Sequence, residues 1–472
     1  MKRIIATFLI AGLAAAPAQA AMQLSAQDLG QVLLFPYYTV QRNQTTVVGI
    51  VNTTDQAKAL NVQFREARNG NVVTEITLLL GPHDSWSASV VALPLSSAAY
   101  LTTSDRSCTM PYVFNAPIQV NGRSFHVFEN TAATTPDGGP TTPDRTREGY
   151  LQVVELGEIA PSSALHAQLS SPLGSPSAAD CDTLSLAADD LVPPTGGLYG
   201  AFGIVDAATG TSMAGIATAI EDFSRRALWS PIERAFYLGA GYHDSRVIGH
   251  VRFPVTHAQV SIGGNPVTLG YDDYGRSRTD AVSALLMADA VYGGFAGTAT
   301  TWVITSPTKH HYVNPTLVSG VRPPYREAFS ATTPGQSCMP YRVAAYYGDQ
   351  RPLAADTAAR RLCHSVDVIS FAPPSAGAAL GSSVAQSLWS FTQGESGALQ
   401  LMPGSDTDGS TSASQSALDG GPALRGLPVI GFEAVRQLGR NPPGVIASYA
   451  YTAPLRSRTQ CADATGAAIA CP

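Results

Sequence analysis

Apolar and polar residues alternate most regularly between Gln31 and Leu93. Leu60, Val62 and Phe64 alternate with Asn61, Gln63 and Arg65, and a period of two sends each set to one face of a pleated strand. One face is expected buried and the other wet. The run meets Asn69-Gly70, a dipeptide suited to a type I′ hairpin turn, and resumes from Val72 through Ile76, Leu78 and Leu79 to a stop at Gly81-Pro82. Trp86, Ala88 and Val90 then share a face. Upstream, Thr46 to Val51 is β-branched except at Gly49 and ends in the turn-forming Asn52-Thr53-Thr54-Asp55. Four strands with short links predict an immunoglobulin-like antiparallel meander, one wall of a sandwich whose second layer comes from further along.

Later segments repeat the extended pattern. Phe125–Glu129, Arg147–Leu156, Leu198–Val205, two strands within 247–269, Thr300–Val313 and the pair Leu427–Val435 with Gly444–Tyr451 read as strands. Gly200 and Gly203 mark a bulge or a close backbone approach. One helix stands out, near 281–291, with Asp280 as its N-cap and Gly293 as its stop. Pro193-Pro194 and Gly196-Gly197 place a domain boundary at about residue 193. The division is then a signal peptide over 1–20, an N-terminal β-sandwich domain over 21–192, and a C-terminal β-rich domain over 193–472. Thr102 to Tyr112 and Thr332 to Tyr341 echo each other through Ser-Cys-Thr-Met-Pro-Tyr and Ser-Cys-Met-Pro-Tyr, a hint of two related halves.

The first residues place the chain. Met1-Lys2-Arg3, the apolar run Ile4–Ala16 and Ala18-Gln19-Ala20 have the form of a secretory signal peptide cleaved after Ala20. No later segment approaches the ~18 continuous apolar residues of a membrane helix, and Ala21 in place of Cys indicates no lipid anchor. A periplasmic, extracellular or cell-surface location is expected. Such a compartment is oxidising, so Cys108, Cys181, Cys338, Cys363, Cys461 and Cys471 are expected to form disulfides. Of about 15 pairings that six cysteines allow, the neighbour set 108–181, 338–363 and 461–471 closes the shortest loops.

Charge narrows the partners. Charged residues make up 14% of the chain and the net charge is −6, which argues against nucleic acid, for which a basic face is the usual footprint. Lysine occurs only at positions 2, 58 and 309, and arginine supplies every other basic side chain.

Each motif has a plainer explanation. Gly210-Thr211-Ser212-Met213-Ala214 matches the surroundings of a subtilisin-type nucleophile, but His83, His126 and His166 stand in none of that family's contexts, so a turn after a strand is preferred. His310-His311 in a strand would point to opposite faces and could not share a metal ion. Each is read as a lone, partly exposed histidine. Lys309 could form an anion-binding spot with Arg322 or Arg326, although a solvated loop charge is preferred. Asp272-Asp273 and Asp406-Thr407-Asp408-Gly409 fail the EF-hand spacing and are read as turns. Trp302, Ile304 and the run Phe35, Tyr37, Tyr38 could line a sugar-binding surface, but core packing accounts for them better. No catalytic residue, cofactor or metal is assigned. Trp302, Lys309, His310 and Tyr312 are the interaction candidates.

Phe35-Pro36-Tyr37-Tyr38, Val51-Asn52-Thr53-Thr54, Arg147-Glu148-Gly149-Tyr150, Trp302-Val303-Ile304-Thr305 with Pro307-Thr308-Lys309, and Gly426-Leu427-Pro428-Val429-Ile430-Gly431-Phe432 span most of the chain. In these segments it resembles a family of exported proteins of Gram-negative bacteria. That resemblance implies export and brings no activity or catalytic residue. The expectation is an all-β, disulfide-supported protein of two sandwich-like domains with one or two helices. It would act without catalysis in envelope structure, adhesion or assembly, with an envelope protein or a glycan as partner. The alternative is an exported hydrolase or carbohydrate-binding protein whose site is assembled from scattered residues. Non-reducing peptide mapping is expected to recover Cys108 linked to Cys181; a Cys108–Cys338 peptide would overturn the neighbour pairing.

Overall fold

The computed structural model describes residues 21–110, 117–131, 137–169, 181, 184–228, 255–271, 277–296, 299–315, 317, 320–329, 335–349, 351–352, 360–371, 378–389, 396–406, 414–417, 421–437, 448–463 and 467–471. The signal-peptide segment, Asp272-Asp273 and Thr407-Asp408-Gly409 lie outside them. Among the described residues the protein is all-β with sandwich-like sheets, three α-helices and three disulfides.

The regular N-terminal pattern does form strands: β1 (Val32–Thr39), β2 (Gln44–Asn52), β3 (Lys58–Glu66), β4 (Val72–Leu80) and β5 (Ser85–Ala92). They do not make a meander. β3 and β4 pair as a hairpin in one sheet, whereas β2 and β5 pair with each other in the opposite sheet. Asn52 braces the crossing. Its side-chain amide donates to Gln56 O at 2.7 Å and to Gly81 O at 2.8 Å, so one residue ties both links that pass between the sheets. The stretch thus supplies strands to both walls of its own sandwich.

Later strands complete both sheets. β6 (Glu148–Ile159) lies between β1 and β3, and β7 (Leu198–Asp206) lies beside β2. The first sheet extends past β1 through Thr218–Glu221, Met22–Leu24 and the hairpin Thr256–Ile262 with Asn265–Tyr271. Leu60, Val62, Phe64, Leu151 and Val153 from this sheet meet Ile50, Trp86, Ala88, Val90 and Phe202 from the second in one core. Gly200 is a close approach, since a Cβ there would lie 2.6 Å from the Phe35 ring. A second core includes α1 (Ala164–Leu169), α2 (Ser277–Leu286) and the disulfide Cys108–Cys181.

The hairpin loop after β3 also departs from expectation. It runs over Ala67–Asn71, and only Gly70 takes positive φ, at 72°, so it is not a two-residue type I′ turn. Glu66 shapes it: its carboxylate accepts the backbone N–H of Arg68, Asn69 and Asn71 at 2.7, 2.9 and 3.0 Å. A side chain that satisfies three loop donors stabilises a longer turn than the dipeptide alone suggests.

The predicted helix is displaced. α2 ends at Leu286, with Asp280 inside its first turn, and Ala290–Ala296 is a strand laddered to Ser396–Pro403. Gly293 is no helix stop. A Cβ there would lie 2.7 Å from both Trp302 Cζ2 and Leu455 Cδ2, so the glycine makes room in the sheet for the indole. The expected long strand over 300–313 divides into β8 (Ala299–Thr305) and the short helix α3 (His310–Val313). β8 lies between β9 (Val366–Phe371) and β10 (Ile430–Gln437). It is buried throughout. Trp302 and Ile304 enter a third core with Phe295, Tyr341 and Leu401, while Val303 joins the N-terminal core.

The other disulfides are Cys338–Cys363 and Cys461–Cys471, so all six cysteines pair with their neighbours in sequence. Among the described residues no helix is long and apolar enough to cross a membrane.

Tight sheet packing generates a mutational expectation. A Cβ at Gly149 in β6 would meet Arg65 O at 1.8 Å, and backbone on the neighbouring strand cannot yield cheaply. Gly149→Ala is expected to lower unfolding stability by about 3 kcal/mol or more, read as a fall in the urea midpoint; an unchanged midpoint would contradict this register.

Candidate functional site

The interaction candidates gather where the C-terminal half covers the polar face of β3 and β6. In β3, Asn61, Gln63 and Arg65 are all buried rather than wet. Asn61 donates to Glu75 Oε1 at 2.7 Å. Arg65 Nε donates to Gln152 Oε1 at 2.9 Å, Nη2 to Gln63 Oε1 at 2.7 Å and Nη1 to Gly70 O at 2.7 Å. The segment after β8 closes over this face: Pro307 O accepts hydrogen bonds from Tyr150 Oη and Gln152 Nε2, both at 3.3 Å. Proline lends only an acceptor, and here two buried donors use it.

α3 then carries the candidate side chains inward. Lys309 and Tyr312 are each 1% exposed, His311 3% and His310 8%, so all four are buried. The histidines lie on a helical turn, not on opposite faces of a strand, and their rings meet edge to face at 5.3 Å. His310 Nδ1 donates to Asn69 O at 2.7 Å, and Asn314 Nδ2 donates to His310 Nε2 at 3.4 Å. One nitrogen gives and the other accepts, so the ring is neutral. Burial, reinforced by the Arg65 charge, pushes its pKa down to about 4.

Lys309 is not a solvated loop charge. Its ammonium donates to His364 O at 3.0 Å and lies 5.9 Å from the Tyr325 ring centre. Burial pushes it down to about 8, against the opposite pull of Asp367 and Glu327. Tyr312 Oη donates to Asp280 Oδ1 at 2.5 Å, which ties α3 to α2. Trp302 lies apart, inside the third core, with Nε1 donating to Gly294 O at 3.1 Å. Phe35, Tyr37 and Tyr38 are likewise buried, as core packing requires. Ser212 lies within an edge strand of the second sheet, after the turn at Gly210.

Backbone bonds continue the seam. Ser365 N donates to Arg68 O and Val366 N to Ala67 O, both at 2.8 Å, so β9 begins on the β3–β4 hairpin loop. Below it, Arg145 bonds Glu66 at 2.9 Å and Asp137 at 2.5 Å. Burial works to raise the Asp137 carboxyl, but the Arg145 hydrogen bonds and charge, with Asn69, hold it well below the usual carboxylate range. A separate buried group joins Lys58 to Glu155 and Glu158. Sequence periodicity could not find these two clusters, because their members are far apart in the chain. The scarcity of lysine was the available signal: both lysines among the described residues, Lys58 and Lys309, are buried.

Among the described residues no three His, Cys, Asp or Glu side chains are grouped to hold a metal ion. The seam is built to clasp the two halves by hydrogen bonds. Compared with known protein families, curated protein sequences and solved structures, the chain matches none.

The clasp has a pH dependence. Since the His310 pKa is lower folded than unfolded, the unfolded chain binds the proton first, and stability is full above about 6.5 and is lost as pH falls toward about 4. Urea unfolding between pH 7 and 4 is expected to lose up to about 3 kcal/mol from this residue. The slope should flatten in His310→Gln; an equal slope in that variant would exclude His310 as its source.

Proposed function

We propose that this chain is an exported, non-enzymatic protein of the Gram-negative envelope or cell surface, with a structural, adhesion or assembly role toward an envelope protein or a glycan. The observation that carries this reading is the pairing of all six cysteines, 108 with 181, 338 with 363 and 461 with 471. Disulfides persist in oxidising compartments and are rare in the cytosol of most organisms. Support also comes from the secretory form of residues 1–20. The most conspicuous polar cluster further favours a structural role, because its side chains are spent on one another and on backbone across the seam.

Expression in a Gram-negative host followed by fractionation and thiol alkylation tests the location. The mature chain, starting at Ala21, is expected in the periplasmic or surface fraction with no alkylatable cysteine before reduction. Recovery of a full-length chain from the cytosol with free thiols would overturn the proposal.

A further inference from the structure

Lys58 opens β3 at the end of the sandwich remote from the Lys309 seam, and its partner in register on β6 is Glu158. A β-bulge between Glu155 and Gly157 inserts Leu156 into β6. Residues three apart in a regular strand point to opposite faces, and the bulge turns Glu155 and Glu158 to the same one. Lys58 Nζ lies 2.7 Å from Glu155 Oε1, 3.4 Å from Glu158 Oε1 and 3.1 Å from Thr195 Oγ1. The Thr195 hydroxyl also donates to Glu158 Oε1. The backbone N–H groups of Thr195 and Gly196 donate to Glu155 Oε1 at 3.2 Å and Oε2 at 2.7 Å. The side chains of Lys58 and Glu155 are 0% exposed and that of Glu158 is 13% exposed.

These are the parts of a condensation: an amine, a carboxyl in contact with it, a second carboxylate to carry protons, and two N–H donors on the reacting oxygens. We propose that Lys58 and Glu155 form an intramolecular amide that cross-links β3 to β6. The Lys58 ammonium gives a proton to Glu155, and the free amine attacks Cδ of the resulting acid. Glu158 takes a proton from the attacking nitrogen and delivers it to the departing hydroxyl. The N–C bond forms, a C–O bond breaks and one water leaves past the partly exposed Glu158. Glu158 ends as it began, and no oxidant or reductant is consumed.

Two physical effects favour the forward direction. Packed and hydrogen-bonded in place, the amine and carboxyl react as an intramolecular pair, for which effective molarities reach about 10⁵–10⁸ M. The product also removes two buried charges, whose desolvation is the main cost of a buried ion pair. Burial raises the Glu155 carboxyl above its ordinary value, against the pull of Lys58, which makes the acid form accessible. The reaction needs no particular compartment.

The test is peptide mapping of the reduced, alkylated and digested chain by tandem mass spectrometry. A branched peptide joining Lys58 to Glu155, one water lighter than its two parts, is expected. Separate, unlinked Lys58 and Glu155 peptides in the wild-type chain would overturn the proposal, as would a branch at Glu158. Glu158→Gln keeps a hydrogen-bonding side chain but cannot carry the proton, so it should leave the peptides unlinked; full linkage in that variant would overturn the role given to Glu158. Glu155→Gln should lose ammonia in place of water and yield the same branched mass. The wild-type measurement is decisive even if a variant does not fold.

Discussion

The architecture depends on covering the polar face of β3 and β6 with the protein's own chain. Gln63, Arg65, Tyr150 and Gln152 are removed from water there, and each buried polar group left without a partner would cost about 1–3 kcal/mol. The segment from Ser306 to Asn314 meets that demand with Pro307 O and His310, and it is held in turn by the His364 and Asn69 carbonyls. A polar seam of this kind is directional. Each hydrogen bond requires one alignment of the halves, whereas apolar contact alone would tolerate many.

Apolar packing works alongside it. Val303, Val368 and Phe432 belong to the same core as Phe35 and Trp86, and Phe202 and Phe432 meet at 5.4 Å. A second polar tie lies nearby: Tyr37 Oη donates to Glu148 Oε2 at 2.8 Å, and Ser383 N donates to Glu148 Oε1 at 2.7 Å. Arg436 reaches Asp206 at 3.2 Å. With cores and ion pairs shared in this way, β8 is a strand of the C-terminal half that is buried on both faces, so a sharp alternation of polar and apolar residues is not required of it.

Lysine has a particular place here. Arginine and the carboxylates cover the surface charge, while the two described lysines sit inside on short backbone and carboxylate contacts. An ammonium is a compact donor that a single pocket can satisfy, and its pKa yields readily to burial. Lys309 shows the second property and Lys58 the first.

Local chemistry was legible in the sequence. Alternation marked β2 to β5, Gly81-Pro82 ended β4, and proximity in sequence paired the cysteines, because each of these depends on residues within a few positions or on the shortest closed loop. The order of the strands within the sheets was not legible, since it rests on pairings between residues far apart in the chain, of the kind that Asn52 makes with Gly81. Nor was the fate of the polar face of β3. Its alternation predicts two environments correctly, but whether the second is water or another part of the chain is settled by Pro307 and His310, which bond Gln152 and Asn69 across 155 and 241 positions. The same holds for His310, Lys309 and Glu155: sequence names the titratable group, and only tertiary structure supplies the burial and partners that decide its charge.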